Sequence, residues 1–135
     1  MALTGWIVDK SVATRLADPK IADQLVDADG PLYLCEVGVL EQLYSAKNAR
    51  DYDRLETILR TNFEVLSSPA DLLLIAQRLQ RDLAHHRGLW HRRPIPDLLI
   101  AVTAIHHEVG VVHADGDFDL IAQVRPLRSW KLTVG

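Results

Sequence analysis

Short apolar runs alternate with stretches of helical periodicity along this chain. Trp6-Ile7-Val8, Pro31 to Cys35, Phe63-Glu64-Val65-Leu66 and Val111-Val112 read as strands. Between them, apolar residues recur at helical spacing in Val12–Ala17, in the stretch after Pro19, and in Glu36–Ala46, Ala49–Thr61 and Pro69–Ala84. Ser11 is expected to cap the first of these helices. In Glu36–Ala46 the expected inner face carries Val37, Leu40, Leu43 and Tyr44. Pro96 suits the first turn of a further helix, apolar on every side from Leu98 to Ile105 and stopped by Gly110. A short helix follows at Phe118–Gln123, and Arg125–Trp130 supplies an edge strand. Strands that alternate with helices imply an α/β fold with a mainly parallel sheet and right-handed crossovers.

With 135 residues and no long linker, one domain is expected over residues 1–130, with a C-terminal tail at 131–135. Apolar residues make up 48%, enough for a core, which excludes intrinsic disorder. No apolar run approaches the ~20 residues of a membrane span, and the first residues lack a cationic, then long apolar, secretory pattern. Cys35 is the single cysteine, so no internal disulfide can form, and a reducing cytoplasm is the expected location. A formal charge of −3 argues against a general DNA coat.

In open parallel sheets, ligands bind outside the carboxyl ends of the strands. Asp9 directly follows the first expected strand, and Asp115 and Asp117 follow the fourth. Asp97 starts the buried helix, and Glu41 borders the apolar face of the helix after the second strand. Each has an ordinary explanation taken singly: a cap, a first-turn acid, a turn or a half-buried surface residue. Jointly, Asp9, Glu41, Asp97 and Asp115 point to one edge of the sheet. Carboxylates that close repel and cannot all stay ionised without a cation. All-oxygen ligation favours Mg²⁺ or Mn²⁺ over Zn²⁺, and carboxylate-held Mg²⁺ suits phosphoryl chemistry. Neutralising four acids turns the formal charge of −3 into +1, which readmits a nucleic-acid substrate.

Ile7-Val8-Asp9-x-Ser11 resembles the opening strand of PIN domains. Val37-x-x-Leu40-Glu41-x-Leu43-Tyr44-Ser45 resembles their acid-bearing helix. Ile95-Pro96-Asp97-x-x-Ile100-Ala101 and Val112-x-x-Asp115-x-Asp117-Phe118 resemble their third and fourth acidic motifs. Order, spacing and length over residues 6 to 130 are most similar to the VapC toxins of bacterial toxin–antitoxin pairs. The resemblance implies a three-layer α/β/α sandwich around a four- or five-stranded sheet. It implies a magnesium- or manganese-dependent endoribonuclease, a homodimer, and a small antitoxin that blocks the site. Carried over, Asp9, Asp97 and Asp115 hold metal and Glu41 completes the catalytic acids, either through a metal-bound water or by orienting the attacking water. Asp117 becomes an auxiliary acid, and Ser11 a hydrogen-bond donor to a carboxylate or to bound water. The implied reaction is hydrolysis to a 5′-phosphate and a 3′-hydroxyl, with one metal or two. The sequence departs from the family pattern at Lys10, where threonine is common, at His113, where threonine or serine is usual, and at Ser45, where glycine often stands.

His85 to Arg93 carries three arginines and three histidines within nine residues. Three readings stand: a phosphate-binding rim formed by Arg87, Arg92 and Arg93 with Trp90 stacking on bases; a solvated loop with Trp90 in the core; or a surface for an acidic antitoxin tail. The histidine spacing fits no standard zinc site. Leu16, Ile21, Leu25 and Val26, with Leu55, Ile58 and Leu59, either line a groove for a partner helix or pack on the sheet. The rival functions are a non-catalytic PIN-like module binding RNA or protein, a phospho-acceptor domain and a small-molecule phosphatase. The first would lack acids that are present here, and the second needs an adjacent acid pair and a lysine that are not seen.

Overall fold

The structure, a computed structural model, describes residues 4–134. Met1–Leu3 and Gly135, the ends of the expected domain and tail, lie outside the described residues. The described elements, in order, are β1 (Trp6–Val8), α1 (Lys10–Ala13), α2 (Pro19–Leu25), β2 (Leu32–Cys35), α3 (Glu36–Tyr44) and α4 (Ala49–Asn62). They continue with β3 (Glu64–Leu66), α5 (Leu72–His86), α6 (Ile95–His107), β4 (Gly110–His113), α7 (Asp117–Ile121) and β5 (Ser129–Lys131). The sheet has five strands in the order β3-β2-β1-β4-β5, and every neighbouring pair is parallel.

Both faces of this sheet are covered, as all-parallel sheets require. Along β1 the side chains alternate between two cores. Ile7 packs with residues of α5, α6 and α7, whereas Trp6 and Val8 pack with residues of α1 to α4. The result is three layers, α/β/α. The helix expected to be apolar all round, α6, lies in the middle of one layer: Leu98, Ile100, Ala101, Val102 and Ala104 are each at most 4% exposed. Burying one Leu or Ile side chain contributes roughly 1.5–3 kcal/mol, so α6 anchors its layer and fixes where its first turn points.

Several local expectations are corrected. The first helix begins earlier than expected, and its cap is Asp9 rather than Ser11: the Asp9 side chain accepts from the Ser11 N–H. The acid directly after the strand is in extended conformation, with its carboxylate in reach of the amide two residues on. In α3, Leu43 is buried, but Leu40 and Tyr44 are 67% and 87% exposed. The helix buries Gly38, Val39 and Leu43 against the sheet, which turns Leu40 and Tyr44 outward. Gly110 does not stop α6. Glu108 does, in the left-handed conformation at φ 57°. At the C-terminal end, Lys131 closes β5 and Leu132 is 2% exposed, so the sheet runs past residue 130 into the expected tail. Among the described residues no helix is long and apolar enough to cross a membrane.

Gly110 belongs to β4 because nothing larger fits. It pairs with Trp6, and an added Cβ would lie 2.4 Å from Trp6 Cζ3 and 2.9 Å from the Arg128 carbonyl oxygen. Trp6 cannot yield easily. Its Nε1 donates to Asp29 Oδ1 at 2.9 Å, and the Arg128 guanidinium lies 4.4 Å over its ring. Gly110→Ala should therefore destabilise the protein by about 1–3 kcal/mol, the range for overpacked interiors. Gly116→Ala, which meets nothing within 4 Å and sits at a negative φ, should change stability by no more than about 0.5 kcal/mol. Urea midpoints of the two variants check this, and equal shifts would contradict it.

Candidate metal centre

The strand order reverses direction at β1, whose neighbours are β2 on one side and β4 on the other. A crevice opens at such a point, outside the carboxyl ends of the two central strands. Asp9 leaves β1 there, Asp115 leaves β4, and the first turn of α6 brings Asp97 to the same place. A cleft of about 410 Å³ is lined by Asp9, Glu41, Asp97, Asp115 and Asp117, and also by Lys10, Ser11, Thr14, Arg15 and Pro94. The four acids singled out in the sequence thus share one cleft, and Asp117 joins them.

Hydrogen bonds tie the two strand ends together. Asp9 N–H donates to the Val112 carbonyl at 3.0 Å, which continues the β1–β4 pairing. Ser11 Oγ donates to Asp9 Oδ2 at 2.6 Å and accepts from the Ala114 N–H at 2.9 Å. One hydroxyl therefore bridges the Asp9 turn and the chain that leads to Asp115. Asp117 N–H donates to Asp115 Oδ1 at 3.0 Å, which orients that carboxylate in turn.

Among the described residues, oxygens of Asp97, Asp115 and Asp117 lie within 4.8 Å of one another. Asp97 is only 7% exposed and Asp9 4%. Burial and the nearby Asp9, Asp115, Asp117 and Glu41 push the Asp97 carboxyl up to about 8. Burial and Asp9 also push Glu41 up, against the opposing charge of Lys10. Asp115 is raised by burial, against the hydrogen bond from the Asp117 amide. Glu41 Oε1 is buried without a hydrogen-bond partner among the described residues. Clustered oxygens, raised carboxyls and an orphaned buried acceptor are what an all-oxygen site for a hard divalent cation needs.

The cationic loop reaches the site through Arg93. Arg93 donates to Asp117 Oδ1 at 2.6 Å and to the Trp90 carbonyl at 3.2 Å, so its charge is spent inside the protein. Arg87 sits 5.4 Å from the Trp90 ring centroid, Trp90 packs partly buried against the core, and Arg92 is exposed. None of these residues lines the cleft; Pro94, just beyond them, does. Three features escaped the sequence reading: the Arg93–Asp117 pair, the cleft position of Thr14 and Arg15, and a hydrogen-bonded chain that runs from the buried His113 to the exposed Asp119. In that chain His113 Nε2 meets Ser129 Oγ at 2.6 Å, and Ser129 Oγ donates to Asp119 Oδ1 at 2.6 Å. Ser129 has one proton to give and gives it to Asp119, so the network assigns the proton between the other two to His113 Nε2. Pairings across 16 to 24 residues leave no local signature. Arg15 was the exception: the Ser11–Arg15 spacing of one helical turn places its guanidinium against the Ser11 carbonyl.

Comparison with known proteins agrees with the geometry. A family model described as PIN domain matches residues 6–124. Ribonuclease VapC17 of Mycobacterium tuberculosis is 50% identical over 127 residues, covering 92% of each chain. Ribonuclease VapC51 of the same organism is 38% identical over 124 residues, covering 88% of this chain and 86% of the relative. In fold, the chain matches a structure of VapBC2 from Rickettsia felis bound to a DNA fragment from its promoter. The TM-score is 0.74 at 13% identity, over 97% of this chain and 100% of the other.

The raised Asp97 carboxyl makes stability depend on pH. Its folded value, about 8, lies above the ordinary 3.8. The stability it contributes is therefore complete below pH ~4 and is lost as pH rises through 8. Without metal, the melting temperature should fall between pH 5.5 and pH 8.5, and added Mn²⁺ should restore most of it at the higher pH. Asp97→Asn should flatten that fall and stabilise the metal-free protein at pH 8.5 by about 2 kcal/mol. A melting temperature with the same pH dependence in both proteins would contradict the assignment.

Proposed function

The chain belongs to the PIN-domain family, and from that membership we propose that it is a metal-dependent endoribonuclease acting as the toxin of a toxin–antitoxin pair. The observation that carries this reading is the cleft itself: five acids at the strand-switch point, one raised to about 8 and another with an orphaned buried oxygen. The ribonuclease names of relatives at 50% and 38% identity support it. A non-catalytic binding module would have no use for buried carboxylates that destabilise the fold.

Asp9, Asp97 and Asp115 are the proposed metal-holding acids, with Mg²⁺ or Mn²⁺ as the ion, and Asp117 adds an oxygen within 4.8 Å of those of Asp97 and Asp115. The bound cation supplies positive charge to a phosphodiester and acidity to water. The chain's own groups do the rest. Ser11 fixes Asp9 through Oδ2 and ties it to the Asp115 turn. Arg93 pairs with Asp117 at 2.6 Å and fixes where that side chain points. The raised proton affinity and unpaired Oε1 of Glu41 support a role for it in orienting the attacking water, directly or through a metal-bound water, and in taking its proton. Hydrolysis breaks the bond between phosphorus and the 3′ oxygen, leaving a 5′-phosphate and a 3′ oxygen that takes a proton from solvent to become the 3′-hydroxyl. A small antitoxin protein and a second copy of the chain are the proposed partners, and the cytoplasm the proposed location.

Purified protein should cut total cellular RNA into discrete fragments only when Mg²⁺ or Mn²⁺ is present. Asp9→Asn, Asp97→Asn and Asp115→Asn should each slow cleavage by roughly 100-fold or more, about 2.7 kcal/mol of barrier. Ser11→Ala, which leaves every acid in place, should cost about tenfold, the lower end for residues that orient ligands. Fragment ends should carry 5′-phosphates; 2′,3′-cyclic phosphates would overturn the hydrolytic mechanism, and metal-independent cleavage the whole reading.

A further inference from the structure

RNA is a polyanion, and the cleft proposed to cut it is lined by five carboxylates. Some fixed positive charge must offset them before a phosphate can approach. Arg93 neutralises Asp117, and one divalent cation offsets two further charges. Two carboxylates then remain. The cations that line the cleft among the described residues are two, Lys10 and Arg15, both on the α1 side.

Their placement suits this work. Lys10 is half-buried, follows Asp9 directly, and is close enough to Glu41 to oppose the rise in its pKa. Arg15 is exposed, and its guanidinium is steadied by donating to the Ser11 carbonyl. Neither forms an ion pair among the described residues. Thr14 lies beside them on the same wall, with its hydroxyl bonded back to the Lys10 carbonyl. The opposite candidate, the loop from His85 to Arg93, contributes no side chain to the cleft lining.

We propose that the RNA strand crosses the cleft over α1, with Lys10 and Arg15 contacting backbone phosphates beside the scissile bond. This rests on the nuclease reading and adds the route of the substrate to it. Lys10, nearest the acids, contacts the phosphate next to the reacting one, and Arg15 holds the strand further out. Both act on the polymer rather than on the reacting atoms, so their loss raises KM more than it lowers kcat.

The test is fluorescence anisotropy of a short, fluorescein-labelled, single-stranded RNA of mixed sequence. Ca²⁺ replaces Mg²⁺ to suppress cleavage, and KCl is varied. Lys10→Gln and Arg15→Gln should each weaken binding severalfold and each reduce the slope of log affinity against log salt by about 0.7, the value for one phosphate contact on a single strand. The Arg87→Gln/Arg92→Gln protein should keep the wild-type slope. Melting temperatures of all variants establish that each is folded. A Lys10→Gln/Arg15→Gln protein with the wild-type slope, or a slope flattened by the Arg87→Gln/Arg92→Gln change, would overturn the proposed route. If wild-type protein cuts RNA yet the α1 variants bind it unchanged, the route fails and the nuclease reading stands. If wild-type protein neither binds nor cuts RNA, the nuclease reading fails first.

Discussion

Repulsion between carboxylates is the constraint on which the rest of this structure depends. Five acids from four separate elements or turns meet at one edge of the sheet, and two of them, Asp9 and Asp97, are almost wholly out of solvent. Left to themselves such groups would separate or take up protons. They stay together because the elements that carry them are held by unrelated forces. The β1–β4 ladder fixes Asp9 beside the chain leading to Asp115. The apolar body of α6, buried on almost every side, fixes Asp97. Burial of Val39 and Leu43 on α3 fixes Glu41. The apolar core thus sustains an electrostatically unfavourable cluster, a conflict that a bound divalent cation would relieve.

The cations present in the chain divide the work. Arg93 sits inside, paired with Asp117, and joins the loop ahead of α6 to the site. Lys10 and Arg15 line the open wall. A protein with a net charge of −3 can therefore present a locally balanced surface to a polyanion once metal is bound. Net charge is a poor guide to substrate when the negative charge is concentrated where a cation will sit.

Much of this was legible in the sequence, for identifiable reasons. The strands announced themselves because an all-parallel sheet buried on both faces needs unbroken apolar runs, as in Trp6-Ile7-Val8. The acids could be placed because Asp9 and Asp115 follow strands directly. Side-chain choices made by tertiary packing were not legible. Leu40 and Tyr44 fit a helical stripe as well as Val39 does, and only docking on the sheet decides which face turns outward. The cap of α1 is Asp9 because the helix starts at Lys10, which leaves Ser11 inside the first turn with its hydroxyl bridging Asp9 and the Ala114 amide, 103 residues away. Dense charge in the cationic loop fits a phosphate rim, a solvated loop or an antitoxin surface equally, and no local signal shows that Arg93 is committed to an acid 24 residues on. Gly110 read as a helix stop, although what demands glycine there is the Trp6 ring across the strand pair.

If these carboxylates form one cation site, Asp97 gives up its proton when the cation binds. Calorimetric titration with Mn²⁺ at pH 7, repeated in buffers of different ionisation enthalpy, counts that proton. Close to one proton released per metal bound, with little release from Asp97→Asn, is the predicted result. Metal binding with no proton released, or with the same release from the Asn variant, would show that Asp97 does not belong to the cation site.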